Sequence, residues 1–315
     1  MMRPPSQPIA EIEMNLTKSR ILIAFAALYI IWGSTYLAIR FAIESLPPFL
    51  MAGLRFLIAG VILYAFARYK NKEPHPSLRQ WKSALIIGGL LLCGGNGSVV
   101  WAERYVPSGL ASLFIATTPF WMVLLEWLWH RGKRPSLGVF AGIGVGFFGV
   151  WLLMAPHTGS QPIHLVGALV LLTAALLWSI GSIYSKTAPL PKTLLLATGM
   201  EMIAGGAALI LLGIFSGELL TVHPAGFTAK SVLAFVYLIF FGSLVGFTAY
   251  IWLLKTVGAA KASTYAFVNP LVAVLLGWIW GGEALSVQTV VAALIIVAAV
   301  VVITVYHKED HGVKI

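Results

Sequence analysis

Long apolar runs separated by short polar stretches dominate the chain. Ten can be marked, at 20–42, 49–69, 82–101, 109–130, 136–155, 165–186, 193–215, 231–253, 262–281 and 286–306. A hydrocarbon core about 30 Å thick needs about 20 apolar residues per spanning helix, so each run predicts a transmembrane α-helix. The first run is too long for a signal-peptide core and no small-residue cleavage pattern follows it, so it reads as a retained helix. Residues 1–19 and 307–315 read as polar tails, and the interior loops are too short to hold a soluble domain. The expected fold is an all-α integral membrane protein.

The runs repeat. Phe114–Trp129, FIATTPFWMVLLEWLW, aligns 151 positions later with Tyr265–Trp280, YAFVNPLVAVLLGWIW, matching Pro119 with Pro270, Trp127 with Trp278 and Trp129 with Trp280. Closer to the N-terminus the offset is 146, which carries Trp32–Arg40 onto Trp178–Lys186, Gly53 onto Gly199 and Gly60 onto Gly206. The change in offset falls in the longer loop around 216–229. Two blocks of five helices result, 20–155 and 165–306. Five is odd, so the blocks cross the membrane in opposite senses. Their matching loops differ in charge accordingly: HRGKRP in the first block stands where the second has WGGEALS. This is the inverted-topology repeat of secondary transporters, which place substrate near mid-membrane between the halves.

Composition agrees with a membrane setting: 59% of residues are hydrophobic and 10% charged, against roughly 25% charged in soluble domains. The net charge of +10 could suggest nucleic acid, but placement argues otherwise. Seventeen Lys and Arg fall on the side of the N-terminus, three (Arg40, Arg104 and Lys230) on the other, and Arg55 inside a helix. By the positive-inside bias both termini are cytoplasmic, and no nucleic-acid partner is expected.

In hydrocarbon a polar side chain must find a partner or face a cavity. Helices 1, 3, 4, 6, 8 and 9 carry mid-depth polar groups, including Ser263 and Thr264, whereas helices 2, 5, 7 and 10 are poorer. With the neighbouring tryptophans, the first group supplies the candidate cavity: Trp32, Ser34 and Tyr36 from helix 1, Asn96 and Trp101 from helix 3, Thr117 and Thr118 from helix 4. Helix 6 adds Trp178 and Ser182, helix 8 Thr248 and Tyr250, and helix 9 Tyr265 and Asn269. Pro119 and Pro270 have no N–H for the carbonyls of Ile115 and Ala266 and so loosen both helices, as plain kinks or as hinges beside a substrate. Thr118 and Asn269, which precede them, can compensate a freed backbone group. Gly94, Gly95 and Gly97 surround Asn96 and suggest local flexibility or close packing. Gly138, Gly142 and Gly146 make a small-residue face on helix 5, suited to an intramolecular contact or a homo-oligomer.

Among the charges, Glu201 is the candidate for proton coupling, with a structural hydrogen bond as the alternative. Arg55 is expected to snorkel outward. Glu126 is expected to anchor at the interface beside Arg131 and Lys133. The single Cys93 excludes an intramolecular disulfide and a cysteine zinc site, and the histidines lack ligand spacing, so neither metal nor cofactor is expected. No nucleophile–base pair, GxSG or HExxH motif points to an intramembrane enzyme. A receptor or scaffold gives no reason for two inverted, polar-lined halves.

The stretches IIWGSTYLAIRFAIESLPPFLMAGLRFLIAG at 30–60, ATTPFWMVLLEWLW at 116–129 and TYAFVNPLVAVLLGWIWGGEALS at 264–286 resemble the EamA-type transporters of the drug/metabolite transporter superfamily. They are most similar to the bacterial inner-membrane exporters grouped with the YedA and PecM proteins. The resemblance implies a ten-helix basket with a cavity between helices 1, 3, 4, 6, 8 and 9, and transport of small metabolites by alternating access. The hydroxyls, amides and aromatic rings, with no Arg or Lys cluster, favour export of neutral or zwitterionic molecules, amino-acid-like, aromatic or amphipathic. A proton-coupled importer is the alternative. Glu283 has no counterpart in the first half.

Overall fold

The computed structural model describes residues 7–71, 75–129, 134–155, 164–257 and 265–310, and these residues are helical apart from short connections. The helices are α1 (Gln7–Ala42), α2 (Pro48–Asn71), α3 (Leu78–Ala102), α4 (Ser108–Trp129), α5 (Leu137–Met154), α6 (Leu165–Ser185), α7 (Leu194–Phe215), α8 (229–257), α9 (Tyr265–Ile279) and α10 (Val287–Asp310). Eight, α1 to α8, are long and apolar enough to cross a membrane, and α9 and α10 contribute the shorter apolar stretches Val268–Ile279 and Val287–Ile303. α1 starts at Gln7, inside the expected tail. Pro8 is tolerated there because a first-turn residue has no intrahelical acceptor for an N–H. Ser263 and Thr264 lie outside the described residues.

Helix starts are fixed by local chemistry. Ser77 Oγ accepts from Gln80 N–H at 3.3 Å while Gln80 Oε1 accepts from Ser77 N–H at 2.8 Å, a capping box that begins α3. Thr228 Oγ1 accepts from Ser231 N–H at 3.2 Å and starts α8.

Two helices contain a wide turn that hydrophobic periodicity does not reveal. In α3 the stretch Gly89–Asn96 is π-helical, and in α8 so is Leu238–Val245. α4 is interrupted between Ile115 and Thr118, ahead of Pro119, whereas Pro270 sits inside continuous α9. The equivalent prolines therefore have different local consequences.

Glycines set the closest approaches. α2 and α7 run antiparallel, with Gly53 against the backbone of Gly206 and Gly60 against that of Gly199. A Cβ on Gly206 would come within 2.7 Å of Leu57 N, so only a hydrogen fits. On α5, Gly142 meets Ile303 of α10 and Gly146 meets the Phe120 ring of α4. The expected small-residue face is thus used within the chain at both positions. The main apolar core includes Phe56 and Phe114, each almost fully enclosed.

The connections 42–48, 102–108, 216–229 and 279–287 gather at one end of the bundle, as the Arg40–Glu283, Ser45–Thr228 and Glu44–Lys230 contacts show. It is called the Arg40 end below. The other end holds Arg68, His75 and the Lys186–Glu126 pair.

Candidate functional site

The wide turn of α8 makes the first part of the site. In a π stretch the i→i−4 ladder is disturbed, which frees backbone groups for outside partners. Gly242 uses its carbonyl this way and accepts from Trp32 Nε1 of α1 at 3.1 Å. The Trp32 ring packs edge-on against Tyr265 of α9 at 4.9 Å and Phe247 of α8 at 5.2 Å, and lies 5.3 Å from Tyr250. Gly246 keeps the space for Trp32 Nε1. Rings from the two halves of the chain thus meet beside polar backbone. Ser34 Oγ, two residues on, donates to Ile31 O at 2.8 Å and shares a 2.6 Å hydrogen bond with Tyr237 OH.

A second part surrounds the interrupted α4. Thr118 Oγ1 donates to Ile115 O at 2.6 Å, the carbonyl that Pro119 cannot serve, and Thr117 Oγ1 donates to Phe114 O at 2.6 Å. Ser179 Oγ of α6 donates to Thr118 O at 3.1 Å. The expected backbone compensation by Thr118 is present. Asn96 Oδ1, Asn269 Oδ1 and Trp121 Nε1 are buried without a hydrogen-bond partner, and burying such a group unsatisfied costs about 1–3 kcal/mol. Their hydrogen-bonding capacity faces the interior.

The other expected cavity residues divide. Tyr36 lies close to Tyr265, so it shares the Trp32 neighbourhood. Trp178 stands beside Gly95, next to Asn96, and Ser182 lies one turn further along α6. Trp101 instead packs on Tyr105 with ring centres 5.1 Å apart and lines a side cleft of about 230 Å³ with Phe49, Cys93, Ser98, Val170 and Leu212. Thr248 is exposed on α8. Glu201 is half-buried in α7, with its backbone carbonyl against Gly88 of α3. Glu126 pairs with Lys186 at 3.0 Å, and residues 131–133 lie outside the described residues.

The Arg40 end holds a group of charges that the polar census misses. Glu283 Oε1 accepts from Arg40 Nη1 at 3.0 Å and from Ser108 N–H and Oγ at 2.7 Å each, and Oε2 accepts from Gly109 N–H at 2.9 Å. A carboxylate at a helix N-terminus satisfies orphan amides and complements the helix dipole. Gly277 and Gly109 leave room for it. Glu218 does the same for α2, accepting from Phe49 and Leu50 N–H at 3.1 and 2.9 Å.

Arg55 does not reach outward. It is 3% exposed, its Nε donates to Ser243 Oγ of the α8 wide turn at 3.1 Å, and its Cζ lies 4.3 Å from the Phe56 ring centre. Seven residues into α2 it sits about 10 Å from the helix start, and α8 supplies a nearer partner than water. Its Nη1 has no hydrogen-bond partner.

Glu103, between α3 and α4, is 4% exposed, and neither carboxylate oxygen has a hydrogen-bond partner. Arg40, Arg55 and Glu283 all act on it electrostatically. Burial pushes its carboxyl well above the usual carboxylate range and Glu283 adds to this, while the charges of the two arginines and the backbone of Arg40 oppose it. The signal in the sequence was four charges, Arg40, Arg55, Glu103 and Glu283, near the same ends of their helices. Loop proximity made two of them look solvated. Among the described residues no group of three or more His, Cys, Asp or Glu side chains could hold a metal.

Comparison with known proteins agrees with this architecture. The EamA-like transporter family matches twice, over residues 19–155 and 165–305. The Escherichia coli K12 protein described as uncharacterized inner membrane transporter YedA is 41% identical over 264 residues, covering 84% of this chain and 83% of its own. The uncharacterized transporter YoaV of Bacillus subtilis is 24% identical, covering 88% and 94%. Protein PagO of Salmonella typhimurium is 27% identical, covering 87% and 89%. A protein of known crystal structure, 24% identical, shares the fold with a TM-score of 0.60 over 93% of this chain and 98% of its own. The double match and the identity to YedA establish that the chain belongs to the EamA-like transporter family.

Proposed function

We propose that the protein is a multi-pass inner-membrane secondary transporter that exports small neutral or zwitterionic metabolites, amino-acid-like, aromatic or amphipathic, by alternating access. Its ten helices form two inverted five-helix repeats, with both termini cytoplasmic. The observation that carries this reading is a reciprocal pattern of contacts. Helix n of the first repeat corresponds to helix n+5 of the second, and inter-helix contacts come in matching sets: α1 with α9 and α6 with α4, α3 with α7 and α8 with α2, α3 with α6 and α8 with α1. The Gly53–Gly206 and Gly60–Gly199 approaches likewise exchange under the 146-residue correspondence. An antiparallel two-fold between repeats is the symmetry on which inverted-repeat transporters rock.

The unpartnered Oδ1 atoms of Asn96, near Trp178, and of Asn269, near Gly33 beside Trp32, together with the Trp32–Tyr250–Tyr265 rings, supply the hydrogen bonds and apolar faces that such a substrate requires. Pro119 and Pro270 act as hinges beside them. Transport rests on these interior groups and on motion of the repeats, not on a catalytic residue. The excess of basic residues at the Arg68 end supports a cytoplasmic placement of that end.

The test is flux of a labelled metabolite panel in proteoliposomes, in both directions, with and without a proton gradient. Asn269→Ala is expected to change transport without changing insertion. Unaltered kinetics would remove Asn269 from the site, and a broad panel without flux would refute transport.

A further inference from the structure

Two buried carboxylates and two arginines share the Arg40 end, and their contacts are unequal. Glu283 receives four hydrogen bonds, one of them from Arg40. Glu103, 4% exposed, receives no side-chain hydrogen bond and has only the Arg40 backbone beside it as a donor. An ionised carboxylate so poorly served by donors is strongly disfavoured away from water, and neutralisation is the usual resolution. Arg55 is held through Nε by Ser243 and lies over the Phe56 ring, and although its Nη1 has no partner it makes no hydrogen bond to Glu103. Arg40 is different: its side chain keeps 35% of its exposure and needs only to leave Glu283.

We infer that Glu103 is the proton-binding group of the transport cycle, and that Arg40 alternates between Glu283 and Glu103, so that protonation and closure of the Arg40 end are linked. This rests on the transporter reading above and moves the coupling role from Glu201 to Glu103. In the closed arrangement Glu103 carries a proton on one carboxyl oxygen, and Arg40 joins α1 to Glu283, which in turn caps α4. On opening, that O–H bond breaks and the proton passes to water. Arg40 then leaves Glu283 for the new carboxylate. Charge is conserved, and no oxidant or reductant takes part.

The groups facing Glu103 are Tyr36 and Arg40 from α1, Arg55 from α2 and Glu283 from the segment after α9. The sign follows from the two states. Glu103 has the higher pKa in the closed state, where Arg40 is engaged elsewhere, and the lower pKa in the open state, where Arg40 faces it. Acid therefore favours the closed form, which is lost as pH rises through the closed-state value.

The test uses full-length protein in proteoliposomes with Cys93→Ser and nitroxide labels at Tyr105 and Leu285, both exposed and on opposite sides of the Glu283 contact. The short-distance population is expected to grow as pH falls from about 9 to about 5. With Glu103→Gln that population stays high at every pH, and with Glu283→Gln it is lost. Titration of Glu103→Gln like the wild type, a wild-type distance indifferent to pH, or the same shift produced by sodium at fixed pH would overturn the inference. Should Glu103→Gln fail to insert, Glu103→Asp decides: a moved midpoint supports the role and an unmoved one removes it. Metabolite flux is scored separately. Flux with a pH-indifferent distance defeats this inference alone, whereas a panel without flux defeats the transporter reading.

Discussion

At the Arg40 end two carboxylates reach across the bundle to helix N-termini, Glu283 to α4 and Glu218 to α2. At the Arg68 end an exposed Lys186–Glu126 pair joins two helices, and Arg68 approaches His75 locally. The repeats are similar in sequence, yet the charges between their helices are not. At the Arg40 end the starts of α2 and α4 take distant carboxylates on their unpaired N–H groups, whereas the start of α3 at the other end is capped locally by Ser77. Basic residues populate the opposite end, where the topology bias places them. The bundle thereby has one end held by long-range acid contacts and another with an exposed surface pair.

The difference is sharpest at Glu283. Glu283→Ala removes three hydrogen bonds to the start of α4 and breaks the Arg40 pair, so stability should fall by about 3 kcal/mol, read as thermal inactivation in detergent. No measurable loss would mean that the Arg40 end does not depend on this carboxylate. Glu218→Ala uncaps α2 and should cost about 1 kcal/mol in the same assay. At the other end, Lys186→Ala breaks a pair whose side chains are 58% and 34% exposed, and the change should stay below about 1 kcal/mol and shrink with added salt. A Lys186→Ala loss as large as that of Glu283→Ala would erase the contrast.

The sequence made some of this legible and concealed the rest for identifiable reasons. Apolar runs and matching prolines marked the helices, and Thr118 before Pro119 announced the hydroxyl that now serves Ile115 O. Trp32, Tyr250 and Tyr265 stood in the sequence as separate cavity candidates, and their meeting is set by tertiary packing. The wide turns of α3 and α8 were not, because they depend on hydrogen-bond register, which composition does not encode. Arg55 was misread for that reason: its partner Ser243 lies on the α8 wide turn, 188 positions away. Glu103 drew no reading from the sequence, since it follows the last apolar turn of α3. Only the tertiary arrangement encloses it.

The proposed transport cycle requires reciprocal motion of the two ends about a two-fold between the repeats. Distances between nitroxides at Tyr105 and Leu285, and in a second Cys93→Ser preparation at Leu128 and Thr256, measure both ends under the same conditions. The account predicts opposite changes: as the Tyr105–Leu285 distance shortens, the Leu128–Thr256 distance lengthens. Ends that open together, or a pair that holds one distance under every pH and gradient, would contradict it.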